Sequence, residues 1–149
     1  MTDYAGLEAR IEAELSALRG REALSRAVSI LKAAVPHYTW VGIYLLQGDE
    51  LVLGPFLGKP SPHTCIPVGS GICGAAASEK DTIVVDDVNA DSRYLACSIE
   101  TQSEIVVPIM RDTEVLGEID IDSDQRAAFG SADRALLERI AALLADKLE

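Results

Sequence analysis

The chain has 149 residues, enough to bury one ordinary core without staples and too few for two full domains, so 1–149 is expected to be a single domain. Hydrophobic residues at 48% against 25% charged ones exclude a disordered chain. A formal net charge of −11, from 24 acidic and 13 basic residues, would repel phosphate backbones and anionic lipid, so neither nucleic acid nor a membrane surface is an expected partner.

No apolar run reaches the ~18–20 residues of a membrane span, and the opening MTDYAGLEARIEAEL has neither the basic nor the apolar stretch of a secretory leader. A cytoplasmic protein is expected. The three cysteines, Cys65, Cys73 and Cys97, are an odd number in such a chain, which argues against a disulfide framework. Their spacing lacks the paired C-x2–4-C of structural zinc, and no metal site is expected.

In chain order, Leu7, Ile11, Leu15 and Leu18 make one apolar stripe, predicting a helix over 5–18 that Gly20 ends. A second helix is predicted over 21–35, with Leu24, Val28, Leu31 and Val35 on one face and Pro36 closing it. The β-formers of 39–46, a turn at 47–50 and the run 51–56 predict a hairpin. A loop holding Pro60, Pro62 and Pro67 follows, and after Gly69-Ser-Gly71 a short helix of small residues over 72–79. A strand is predicted at 82–85.

Residues 86–103 read as a long polar connection, a length that marks functional or mobile loops. A second hairpin is predicted from 104–110 and 114–122, and then a final helix with Ser131 as its N-cap and Leu136, Leu137, Ile140, Leu143, Leu144 and Leu148 on its apolar face. Helices at both ends bracketing two hairpins describe an α+β domain, an antiparallel sheet with helices gathered on one face.

Glu118, Asp120 and Asp122 alternate with Ile119 and Ile121, so the acids share one strand face and the isoleucines the other. Either the acids form a solvated face, or they line a closed pocket in which repulsion and desolvation keep some of them protonated. Cys73 falls in the first turn of the short helix, where backbone amides can stabilise a thiolate; the plain alternative is a small residue packed beside Ala75 and Ala76. Cys97 lies in the long connection, away from any apolar face. Asp86, Asp87, Asn89 and Asp91 lack EF-hand spacing and suit turns and caps, and His37 and His63 have no serine or acid at triad spacing.

The strings Thr39-Trp-Val-Gly-Ile-Tyr-Leu-Leu46, Leu53-Gly-Pro-Phe56, Gly58-Lys59 and Ile66-Pro-Val-Gly-Ser-Gly-Ile-Cys-Gly74 resemble the free methionine-(R)-sulfoxide reductases, a GAF-domain family. Asp86-Asp-Val88, Ala96-Cys97, Ser103-Glu-Ile-Val106 and Gly117-Glu-Ile-Asp-Ile-Asp-Ser123 continue the likeness over most of the chain after residue 38. The resemblance implies a six-stranded antiparallel sheet flanked by the terminal helices, a homodimer, and a substrate enclosed under loops. It implies Cys97 as nucleophile, Cys73 as resolving cysteine, Trp40 and Tyr44 as pocket walls, and Glu104, Asp120 and Asp122 as pocket carboxylates.

The implied reaction suits those residues. Thiolate attack on the sulfoxide sulfur with a carboxylic acid protonating the oxygen leaves a sulfenic acid, which a second thiol condenses to a disulfide. External thioredoxin would recycle it, with no bound cofactor. One departure is plain: the family's additional cysteine lies at the position of His63, and here a thiol stands two places later, at Cys65. If 63–66 runs extended, both positions face the same side, and Cys65 is expected to serve as an auxiliary thiol facing the pocket. Two other classes of function share these residues: a non-catalytic GAF domain binding a small ligand, and a thiol redox sensor. The asparagine-lysine signature of cyclic-nucleotide GAF domains is absent, and Ser98 follows Cys97 where a phytochrome attachment site has histidine.

Overall fold

The computed structural model describes residues 2–96 and 99–148. Helix α1 (Tyr4–Leu15) is capped by the Asp3 side chain, which accepts from Gly6 N, and it buries Leu7, Ile11 and Leu15. It stops a turn earlier than the apolar stripe suggests, because the Ser16 hydroxyl bonds back to Ala13 O. Gly20 does not end α1; it adopts φ +55 and opens α2 (Gly20–Ala34), its amide reaching Lys147 O near the far end of the chain.

Strands β1 (Trp40–Gln47) and β2 (Glu50–Leu57) form the first hairpin. The stretch read as pure loop contains a short strand, β3 (Cys65–Pro67), paired antiparallel to β2 with Ile66 opposite Leu51. Pro67 is tolerated because β3 is an edge strand. Helix α3 (Gly71–Glu79), strand β4 (Ile83–Val85) and a 3-10 turn at Val88–Ala90 lead to the second hairpin, β5 (Ser103–Arg111) and β6 (Glu114–Ser123). Helix α4 (Ser131–Ala145) closes the fold. Gly130, not Ser131, holds its cap position, and Asp133 from the first turn accepts the Gly130 amide at 2.9 Å.

The six strands lie in the order β3-β2-β1-β6-β5-β4, every neighbouring pair antiparallel. The two hairpins meet through β1 and β6, so β6 is central. The helices are not all on one side. α1, α2 and α4 cover one face, burying Val41, Ile43, Ile105, Val107, Ile119 and Ile121, whereas α3 packs on the other with Tyr44, Leu51, Ile66, Val85 and Val106. Small residues make that second layer feasible: Cys73, Ala75, Ala76 and Ala77 are buried, and a Cβ on Gly74 would come within 2.6 Å of Pro67 O. Each face therefore has its own core, and the candidate residues Trp40, Tyr44 and Cys73 belong to the one beneath α3.

Candidate active site

Strand periodicity places the chemistry. Ile119 and Ile121 point into the helical core, and Glu118, Asp120 and Asp122 project from the opposite face of β6. The acids are not a solvated face: they are 0%, 2% and 3% exposed. In the register, Asp122 lies between Trp40 and Glu104, Asp120 between Gly42 and Val106, and Glu118 between Tyr44 and Pro108. Four buried carboxyl groups thus share one patch of sheet beneath α3.

Gly42 leaves room for an aromatic wall. A Cβ there would lie 2.2 Å from the Trp40 indole, so only glycine lets that ring lie across β1. The indole stacks on Phe56 with ring centroids 5.7 Å apart and donates from Nε1 to Lys59 O at 2.9 Å. Together with Thr39, Lys59, Glu100, Thr101, Asp122 and Asp124, Trp40 lines a cavity of about 60 Å³. An ion pair between Lys59 and Glu100 spans two of those lining residues.

A second, smaller cavity of about 10 Å³ is lined by Tyr44, His63, Ile66, Gly71, Ile72, Cys73, Leu95, Glu104 and Asp120. The Tyr44 hydroxyl donates to His63 O at 2.7 Å, and the His63 ring meets Ala96 O through Nε2 at 3.0 Å. Trp40 and Tyr44 therefore wall two adjoining spaces, with the paired Glu104 and Asp122 at the division between them.

Burial without compensation controls protonation. Glu104, Glu118 and Asp122 are pushed well above the usual carboxylate range, and Asp120 upward, in each case first by burial. For Glu104, Glu118 and Asp122, the charge of Asp120 adds to the rise. Both oxygens of Glu118 and one each of Asp120 and Asp122 are buried with no hydrogen-bond partner. The Cys73 thiol is buried too, and burial followed by the charges of Asp120, Glu118 and Glu104 raises it well above its ordinary value. The helix start expected to lower it is outweighed, because desolvation and acidic neighbours both favour the neutral thiol. The patch thus sets acids and a thiol whose protonated forms are favoured by burial around the more readily ionised Asp120.

Two further expectations divide. Cys97 lies outside the described residues. Cys65 does not face the pocket: on β3 it is Ile66 that turns inward, and the exposed Cys65 thiol contacts the Glu50 carboxylate at 3.0 Å. The reason is alternation in a paired strand, which reverses side chains at each residue once register with β2 is set. The contact with Glu50 raises the Cys65 thiol, followed by smaller contributions from burial and the Glu50 charge.

A GAF-domain profile matches residues 20–148. The free methionine-R-sulfoxide reductase of Saccharomyces cerevisiae is 43% identical over 129 residues, 81% of this chain and 71% of the relative. This chain belongs to the GAF-domain free methionine-R-sulfoxide reductase family. Among solved members, the free methionine-R-sulfoxide reductase of Neisseria meningitidis in complex with its substrate superposes with TM-score 0.92 at 37% identity, covering 97% of this chain and 87% of that one. The reduced form of fRMsr of Staphylococcus aureus gives TM-score 0.94 at 36% identity, covering 100% and 97%.

Glu118, one of the three acids expected either on a solvated face or in a closed pocket, is buried. Three other neighbours of the site escape sequence reasoning in the contacts they make. Phe56 and Lys59 meet Trp40 through the β1–β2 pairing, and His63 joins the Cys73 cavity through its backbone; no local pattern announces such contacts.

Proposed function

We propose that this chain reduces free methionine-(R)-sulfoxide to methionine. The observation that supports the reading most directly is the pair Glu104 and Asp122, side by side across β5 and β6, buried next to the Trp40 wall, where burial favours their protonated forms. A sulfoxide oxygen is a strong acceptor, and a neutral carboxylic acid can donate a hydrogen bond to it and then a proton. Trp40 is suited to hold the S-methyl group, a contact worth about 0.3–1.5 kcal/mol. Once Asp120 or a neighbour ionises, it can pair with the substrate ammonium.

In the scheme, the Cys97 thiolate attacks the sulfoxide sulfur, methionine departs, and the oxygen remains on Cys97 as sulfenic acid. Cys73 then attacks the Cys97 sulfur; its proton leaves with the hydroxide as water, and a disulfide forms. An external dithiol of the thioredoxin type supplies the two electrons that restore both thiols, so no bound cofactor is called upon. Such a cycle belongs in a reducing compartment, the cytoplasm. The working unit is a homodimer, as the resemblance implies. No helix among the described residues is long and apolar enough to cross a membrane.

A thioredoxin-coupled NADPH assay tests the reading with three substrates: the free (R) epimer, the free (S) epimer and a peptide-bound sulfoxide. Consumption of the free (R) epimer alone is expected, abolished in Cys97→Ser because a hydroxyl cannot replace the thiolate. Equal turnover of the peptide, or full activity in Cys97→Ser, refutes it. No turnover of any sulfoxide would leave the chain a ligand-binding or redox-sensing GAF domain.

A further inference from the structure

The smaller cavity gathers a donor set that suits a cation as well as the sulfoxide chemistry proposed above. Cys73 Sγ and one carboxylate oxygen each from Glu104 and Asp120 all lie within 4.8 Å of one another, and all three residues are buried. From these positions we propose that the reduced protein binds a thiophilic divalent cation of the Zn²⁺ class through Cys73, Glu104 and Asp120.

Three observations carry this. One Asp120 oxygen is buried without a hydrogen-bond partner, and Asp120, only 2% exposed, lines the cavity, so a ligand position is already desolvated and unfilled. The free volume of about 10 Å³ is roughly what one water-sized body needs, which suits an ion and not an organic molecule. No lysine or arginine is among the lining residues, so nothing in that wall supplies the positive charge that clustered carboxylates call for.

The geometry is compatible with tetrahedral zinc. Bonds of about 2.3 Å to sulfur and 2.0–2.2 Å to oxygen place ligand atoms roughly 3.4–3.6 Å apart, so donors that lie within 4.8 Å of one another would close in around the ion. The cation takes the place of the Cys73 thiol proton and of any proton held by the Glu104 and Asp120 carboxyls, all of which are released to solvent, and a fourth position stays open. A thiolate in the set selects Zn²⁺ or Cd²⁺ over Mg²⁺ or Ca²⁺. Cysteine spacing could not reveal this site, because its donors come from α3, β5 and β6.

The test uses the full chain, reduced and stripped with a chelator, in a Cys65→Ser background that removes the exposed thiol beside Glu50. Cd²⁺ is titrated, and bound metal is followed by thiolate-to-cadmium absorption and equilibrium dialysis. One Cd²⁺ per chain is expected, undisplaced by excess Mg²⁺. The absorption should vanish in Cys73→Ser and persist in Cys97→Ser, while Glu104→Gln and Asp120→Asn weaken binding by roughly 10- to 100-fold or more. Absorption surviving in Cys73→Ser, lost with Cys97, or unaffected by both carboxyl substitutions overturns the assignment. Since a buried variant can fail to fold, cadmium-113 NMR of the otherwise native protein gives a second readout: a resonance typical of one thiolate among oxygens is expected, and an all-oxygen resonance overturns the site. No substrate enters either measurement, so the result stands apart from the reductase reading.

Discussion

The two faces of the sheet each bury carboxyl chemistry, and they treat it in opposite ways. On the helical face, Asp133 of α4 is 4% exposed and fully engaged: its carboxylate accepts from Tyr4 OH at 2.9 Å, Tyr38 OH at 2.7 Å and Gly130 N at 2.9 Å, and lies 2.9 Å from His37 Nε2. Burial alone would raise Asp133, but the bonds from Gly130, Tyr38, His37 and Tyr4 outweigh it and hold the group below the usual range. On the α3 face, Glu104, Glu118, Asp120 and Asp122 are as deeply buried and are raised, and Glu118, Asp120 and Asp122 leave oxygens without partners. The difference teaches that burial does not decide protonation; the donors supplied with it do. Satisfied carboxylate ties elements together, whereas unsatisfied carboxyl is held ready for a ligand.

The comparison breaks most sharply in activity. Glu104→Gln and Asp122→Asn keep size and remove only the acid, so turnover of free methionine-(R)-sulfoxide should fall by about 10²–10⁴-fold with the fold intact. Full activity in both, with native circular dichroism, would mean the α3-face acids do no proton work.

Asp133→Asn should act the other way. An amide at the meeting point of four donors sets an N–H group against other donors, and a loss of about 2–3 kcal/mol in urea unfolding is expected, with turnover per folded molecule unchanged. Its pH signature follows from linkage. A group whose folded pKa is depressed contributes stability that is present above the unfolded carboxylate value and lost as pH falls through the folded one, so wild type should lose stability in acid more steeply than Asp133→Asn. Parallel acid limbs would remove Asp133 from its structural role.

Glu118→Met sharpens the opposite case. A carboxyl with a raised folded pKa carries no pH-dependent cost while protonated in both states and destabilises progressively as pH rises from the unfolded value through the folded one. Replacing it with an apolar group of similar length should stabilise the ligand-free protein by about 1–2 kcal/mol at neutral pH, and the gain should grow with pH. A variant less stable than wild type at every pH would show that Glu118 is satisfied after all.

The smallest effect is expected at Cys65. Its exposed position against Glu50, away from the Cys73 cavity, predicts that Cys65→Ser releases methionine in the first turnover as fast as wild type. Loss of that burst, measured by rapid quench, would make the outer thiol a primary participant.

Much of this was legible along the chain, because helices and hairpins announce themselves through local periodicity. Leu7, Ile11 and Leu15 marked α1, and the alternation of Ile119 and Ile121 with three acids was correctly expected to divide isoleucines into the core from acids on one face. What periodicity leaves open is what covers each face. The same alternating string fits a solvated surface or a sealed pocket; α3 crossing over β5 and β6 decided for the pocket, and its small residues set how closely it sits. Local pattern also misjudged β3, since three residues ending in proline become a strand only when β2 lies alongside, and that pairing turned Ile66 inward and Cys65 out. Gathering Cys73, Glu104 and Asp120 within 4.8 Å depended on contacts among α3, β5 and β6. Sequence alone determined the helices, the two hairpins, the division of β6 into two faces and the family motif, all of which are encoded over a few residues. Tertiary structure alone decided which acids lose water, which find donors and which thiol meets them, because desolvation and hydrogen bonding at β6 are set by neighbours distant along the chain.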